Sequence, residues 1–225
     1  MNVVSGSQTS IEIQLTMFDA IKNLLRIEPV LLLGILLIAV LLIVIFVRDS
    51  SIPKVKTSIG SIALYYYLCI MLTHIVGIPT LAEWIRLTQV GEAIFNPNIN
   101  LIPLADGFSL SFILNIFLFI PLGFLCPLIS RTFERGRNVF FIGLGLSLMI
   151  EISQLFTLFR ASDVNDLLTN ILGAMLGYIC FRLAAMLRIV KMHSRQQAAQ
   201  RDFTAYIPLL VLVIAFIFVF LSPEL

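Results

Sequence analysis

The chain holds 225 residues, 59% hydrophobic and 12% charged, with a mean hydropathy of +1.02 and a net charge of +2. So few charges cannot cover the apolar surface of a soluble domain of this length, which excludes the water-soluble classes. An all-α, polytopic integral membrane bundle of about six helices is predicted, with the lipid bilayer as its solvent and no nucleic-acid partner.

Residues 1–28 form a tail before the first long apolar run. Its first ten residues lack a basic segment, so no cleavable signal peptide is expected. Over residues 11–28, Phe18, Ile21, Leu24 and Leu25 recur at helical spacing opposite Asp19, Lys22 and Arg26. That pattern predicts a short amphipathic helix lying in the interface, with a solvated tail as the alternative.

Six candidate spans follow, at residues 30–47, 59–78, 109–128, 139–158, 164–181 and 207–221. The first and last are nearly pure aliphatic or aromatic and are predicted to be lipid-facing anchors without chemistry. The last is short for a full crossing. Residues 59–182 then make a four-helix core, and residues 183–206 a basic linker. Cys69, Cys126 and Cys180 lie inside apolar runs without CxxC spacing and read as small packing residues.

Arg48, Lys54 and Lys56 follow the first span, Arg131, Arg135 and Arg137 the third, and Arg182, Arg188, Lys191, Arg195 and Arg201 the fifth. Those segments carry eleven of the fifteen basic residues, so they are predicted to be cytoplasmic and both termini extracytoplasmic. The stretch 182–201 can contact anionic lipid head groups, or serve only as a solvated linker. Residues 79–108 form a long outer segment, predicted to begin with an interfacial helix carrying Leu81, Trp84 and Ile85 on one side and to continue as a structured loop.

This topology places His74, Asn115, Glu151, Gln154, Asp166 and Asn170 in the outer half of the bilayer, a shared depth that was not used to choose it. At 100° per residue, Asp163, Asp166, Asn170, Gly173 and Gly177 fall within an arc of about 80°. Gly173-x-x-x-Gly177 permits close helix packing, so that face is predicted to turn inward. Gly143, Ser147, Glu151 and Gln154 share a face on the preceding span, and the two faces are predicted to pack together. Arg160, in the connecting turn, is the obvious counter-charge. Pro121 predicts a kink in the third span beside the cluster. Asn115, Ser147 and Gln154 can act purely as interhelical hydrogen-bond partners, and Asp163 as a helix cap. Glu151 is harder to explain that way, because a carboxylate at that depth costs about 3 kcal/mol. His74 is a secondary candidate, more simply read as a boundary residue.

The chain contains no HExxH, GxSxG, P-loop or GxGxxG motif, and two histidines without supporting cysteines do not make a zinc site. No metal, no cofactor and no recognised catalytic machinery are expected.

The segments INLIPL at 99–104, NIFLFIPLGFLCPL at 115–128, S-x-x-x-E-x-x-Q at 147–154 and R-x-x-D-V-N-D-L-L-x-N-x-x-G-A-x-L-G-Y at 160–178 resemble the VanZ-like membrane family. The resemblance covers roughly residues 60–182 and leaves out the first and last spans. It implies a small helical bundle in the bacterial plasma membrane. The family's namesake is associated with low-level resistance to teicoplanin-type glycopeptides. Asn115, Glu151, Gln154, Arg160, Asp163, Asp166 and Asn170 match the motif and carry over without a catalytic assignment. The leading expectation is an envelope protein that binds a lipid-tailed glycopeptide or a lipid-linked wall precursor in an outward polar pocket. An intramembrane enzyme using a carboxylate as general acid or base is the first alternative. A small transporter is the second, although no internal repeat is visible.

Overall fold

The computed structural model describes residues 19, 28–49, 52–100, 110–157, 162–193 and 203–223. Among them, α1 spans Pro29–Arg48, and α2 spans Lys54–Ile70 and runs on into a π-helical turn at Met71–Val76. A short helix, α3, covers Leu81–Gln89. The bundle continues with α4 (Leu110–Ile129), α5 (Gly136–Gln154), α6 (Val164–Met186) and α7 (Ile207–Phe220). Among the described residues, five helical segments are long and apolar enough to cross a membrane, while α7, at 14 residues, is shorter. The chain is therefore a multi-pass, all-α membrane bundle.

Helices α4 and α6 form the most intimate contact, and small residues make it possible. A Cβ at Gly173 would strike the carbonyl oxygen of Ile116, one at Gly177 that of Ile120, and one at Gly123 that of Ala174. Backbone thus meets backbone, as small residues allow in lipid. The glycine face of α6 consequently meets α4 first. Helix α5 lies on α6 through Gly143, where an added Cβ would stand 2.9 Å from that of Ala174.

On the other side of α4 sit α2, then α1 and α7. In α1 the buried positions Leu31, Gly34, Ile38 and Leu42 form one stripe at helical spacing. Tyr65 of α2 lies over Gly34 and donates its hydroxyl to the Leu31 carbonyl at 2.8 Å. The expectation that the last span is a lipid-facing anchor is corrected here. Seven residues of α7, among them Val211, Ala215 and Val219, are buried against α1 and α2. An apolar residue type carries no mark of which side it faces in lipid, so composition could not reveal this.

Three other expectations change in detail. Helix α6 continues to Met186, beyond the predicted end at 181, because Leu183–Met186 are good helix formers. It stops where Arg188 takes a left-handed conformation (φ 58) and the amides of Arg188 and Ile189 turn back to the carbonyls of Ala185 and Ala184. Residues 183–186 therefore belong to the helix rather than to a linker. The α4 helix runs through both Pro121 and Pro127. In the turn that Pro121 disrupts, the Leu118 carbonyl accepts a hydrogen bond from the Tyr67 hydroxyl at 2.5 Å. Cys69 and Cys126 are buried, but Cys180 is exposed. The predicted N-terminal amphipathic helix, apart from Asp19 and Glu28, and residues 194–202 of the basic linker lie outside the described residues.

Candidate functional site

The residues with the highest cost of burial gather at one end of α4, α5 and α6. Asp163 is the N-cap of α6, its Oδ1 accepting from the Asn165 amide at 2.8 Å. The Asp163 backbone amide donates in turn to Glu151 Oε2 at 2.9 Å, tying the last turn of α5 to the first of α6. Asp166, in the first turn of α6, lies where the helix dipole favours a negative charge. Its Oδ1 accepts from Asn115 Nδ2 of α4 at 2.7 Å. One turn deeper, Asn170 Nδ2 donates to Ser147 Oγ of α5 at 3.0 Å, with both residues buried.

These contacts form three tiers, each bridging α6 to a neighbour. Asn115, Ser147, Glu151, Asp163, Asp166 and Asn170 are brought together. Gln154, on the same face of α5 as Glu151, is only 6% exposed. Two carboxamide oxygens, Gln154 Oε1 and Asn170 Oδ1, are buried without a hydrogen-bond partner among the described residues. A buried acceptor left that way costs about 1–3 kcal/mol. The cluster therefore pairs two carboxylates of α6 and one of α5 with amide acceptors that still have bonding capacity. Among the described residues, the unsatisfied groups of the cluster that are not carboxylates are both acceptors.

Arg160 lies outside the described residues. His74 falls in the π-helical turn of α2, half-buried, and its side chain makes no hydrogen bond or ion pair among the described residues. The structure does not join it to the cluster. No group of three or more His, Cys, Asp or Glu side chains arranged to hold a metal ion occurs among the described residues.

Two features of this end escaped sequence reasoning. Ile99–Asn100 and Ser162–Asp163 pair as short parallel strands, β1 and β2, so the long segment after α3 is fastened beside the cluster. Two-residue strands carry no periodicity by which to find them. Trp84, expected only on one side of an interfacial helix, also ties α3 to the chain after α5, its indole N–H donating to the Phe156 carbonyl at 3.3 Å.

The opposite end carries a second polar contact. The three basic segments converge there, with Lys56 Nζ donating to the Lys191 carbonyl at 2.8 Å. Glu134 lies in the 3-10 turn Arg131–Glu134 between α4 and α5. Its Oε1 meets both the His193 amide (2.9 Å) and His193 Nδ1 (2.8 Å). Burial alone would raise the Glu134 pKa, but the His193 hydrogen bonds and the charges of His193 and Lys56 outweigh it and hold the carboxyl below its ordinary 4.5. The 59-residue separation of the partners gives no local signal.

Neither a curated protein nor a solved structure matches the chain. A family model described as VanZ/LLP1 matches residues 34–187. The match begins within α1, so the family region takes in most of the first span as well as the core, where the motif resemblance had left that span out. Helix α7 lies beyond it. With over half of its length matched, and with motif residues from three helices meeting at one end of an apolar bundle, the chain belongs to the VanZ/LLP1 family.

Proposed function

We propose that this multi-pass membrane protein serves the bacterial envelope by binding an amphiphile whose donor-rich head docks at the Glu151–Asp166–Asn170 cluster. The observation that carries this reading is the pair of buried acceptors, Gln154 Oε1 and Asn170 Oδ1, set among carboxylates. A ligand suited to them brings hydroxyl, amide or amine donors and keeps its tail in lipid. Lipid-tailed glycopeptides and lipid-linked wall precursors both have that chemistry. The predicted topology turns the cluster outward, where such ligands are found. The glycopeptide link of the family's namesake favours the same class.

The test is susceptibility to a teicoplanin-type glycopeptide in a host in which the wild-type chain raises the inhibitory concentration. Glu151→Gln, Asp166→Asn and Gln154→Met are compared at matched membrane levels. The expected result is loss of protection in all three. Protection equal to wild type in each variant refutes the binding role of the cluster.

A further inference from the structure

Two cavities adjoin each other beside α3, and neither is lined by the polar cluster. The larger, about 350 Å³, is walled by Trp84, Phe156, Phe216, Ile217 and Phe220. The rings pack on each other, with Trp84 5.0 Å from Phe220 and 5.8 Å from Phe156 between centroids. Its few polar groups are already satisfied: Ser153 Oγ donates to the Ile150 carbonyl at 2.7 Å, and the Trp84 N–H to that of Phe156. Such a cavity asks nothing of an occupant but hydrocarbon. Its volume falls in the range of about 300–1,000 Å³ usual for ligand sites.

The second cavity, about 290 Å³, shares Ile78 with the first and has a different chemistry. Glu83 and Arg86, three residues apart on α3, bring one charge of each sign to its wall. Thr73 adds a buried hydroxyl that makes no hydrogen bond among the described residues. The other hydroxyls are engaged, Thr80 Oγ1 with the Glu83 amide and Ser222 Oγ with the Val219 carbonyl. Paired opposite charges at one end and an aromatic slot at the other match a molecule with a phosphate, an ammonium and an acyl chain.

We infer that this double cavity is a binding site for a phospholipid with a phosphoethanolamine head, its acyl chain in the aromatic compartment and its head between Glu83 and Arg86. The phosphate pairs with Arg86 and accepts from Thr73, and the ammonium pairs with Glu83. A purely anionic head would leave Glu83 facing its charge, and a choline head offers Glu83 no N–H donor. Phe216 and Phe220 belong to α7, beyond the family-matched residues, so the site owes part of its wall to a helix outside that region. It is independent of the polar cluster.

Trp84 is the only tryptophan of the chain, which makes the test direct. The full-length protein is reconstituted in phosphatidylcholine bilayers doped with a lipid brominated on its acyl chains, bearing an ethanolamine, glycerol or choline head. The brominated ethanolamine lipid is expected to quench Trp84 at a roughly tenfold lower mole fraction than the other two, the worth of one charge-assisted hydrogen bond. Glu83→Gln is expected to abolish that preference. Arg86 engages other groups as well, so Glu83 is the cleaner position to change. Ser153→Leu, which fills the aromatic compartment, is expected to weaken quenching by all three. Equal quenching by the three heads in the wild type is ordinary boundary lipid and overturns the inference, as does a preference for the glycerol head. The wild-type comparison decides the matter even if a variant does not fold.

Discussion

Replacing Gly177 by alanine adds one methyl group where the Ile120 carbonyl of α4 already touches the Cα of α6. Helix propensity alone favours alanine by about 1 kcal/mol. Overpacking costs about 1–3 kcal/mol when side chains can yield, and the upper end applies here because the obstacle is backbone. The net loss expected is about 2 kcal/mol, the difference between those opposing terms. Gly145 of α5 supplies the control, since a Cβ there meets nothing within 4 Å. Gly145→Ala should therefore be neutral or stabilising by up to about 1 kcal/mol. Reversible unfolding of the purified chain in mixed micelles measures both. The same helix pair carries the Asn115–Asp166 hydrogen bond, so prying α4 from α6 should also weaken any activity of the cluster. A Gly177→Ala protein as stable as Gly145→Ala would refute backbone contact as the basis of the pairing.

Three further outcomes are expected. A double-mutant cycle of Asn115→Ala and Asp166→Ala should give a coupling of about 0.6 kcal/mol and not above about 1.7 kcal/mol, the range for interhelical hydrogen bonds in membranes; a value near zero would mean the two side chains do not interact. The Glu134 carboxyl is held below 4.5 in the folded chain, so its contact with His193 contributes stability above that pH and loses it as the pH falls through the lowered folded value. Hydrogen exchange at the His193 amide, corrected for intrinsic rates, should lose its protection over that acid range, and Glu134→Gln should remove the step. Arg188→Gly should raise stability by about 1 kcal/mol in the same unfolding assay, because the left-handed conformation at that position strains any side chain and not glycine.

The bundle, and those polar residues of α4, α5 and α6 that meet at one end of it, were legible because lipid makes polar residues conspicuous. Asn115, Glu151 and Asn170 interrupt apolar runs, Asp166 stands at the mouth of one, and helical spacing gives their facing. Their partners were less legible. The sequence suggested that the α5 and α6 faces pack on each other, yet the closest neighbour of the glycine face is α4. Glycine spacing announces that a helix approaches and says nothing of which one. The inward side of α7 was hidden for a related reason: in a helix apolar all round, neither periodicity nor charge separates the buried stripe from the lipid-facing one.

The contacts least visible in sequence are those made between distant segments by single groups, and they fix the two ends of the bundle. At one end the Asp163 amide needs only a carboxylate within reach, and Glu151 provides it from twelve residues upstream. At the other, Glu134 holds the chain just after α6 through His193, a contact with no helical register behind it. Both use a carboxylate to receive a backbone N–H, an interaction for which any nearby chain segment qualifies. Such bonds follow from where the helices have already put the backbone. Helix packing is therefore prior to the site: the α4–α6 glycine contact sets the spacing, and the carboxylates then bind what that spacing brings to them.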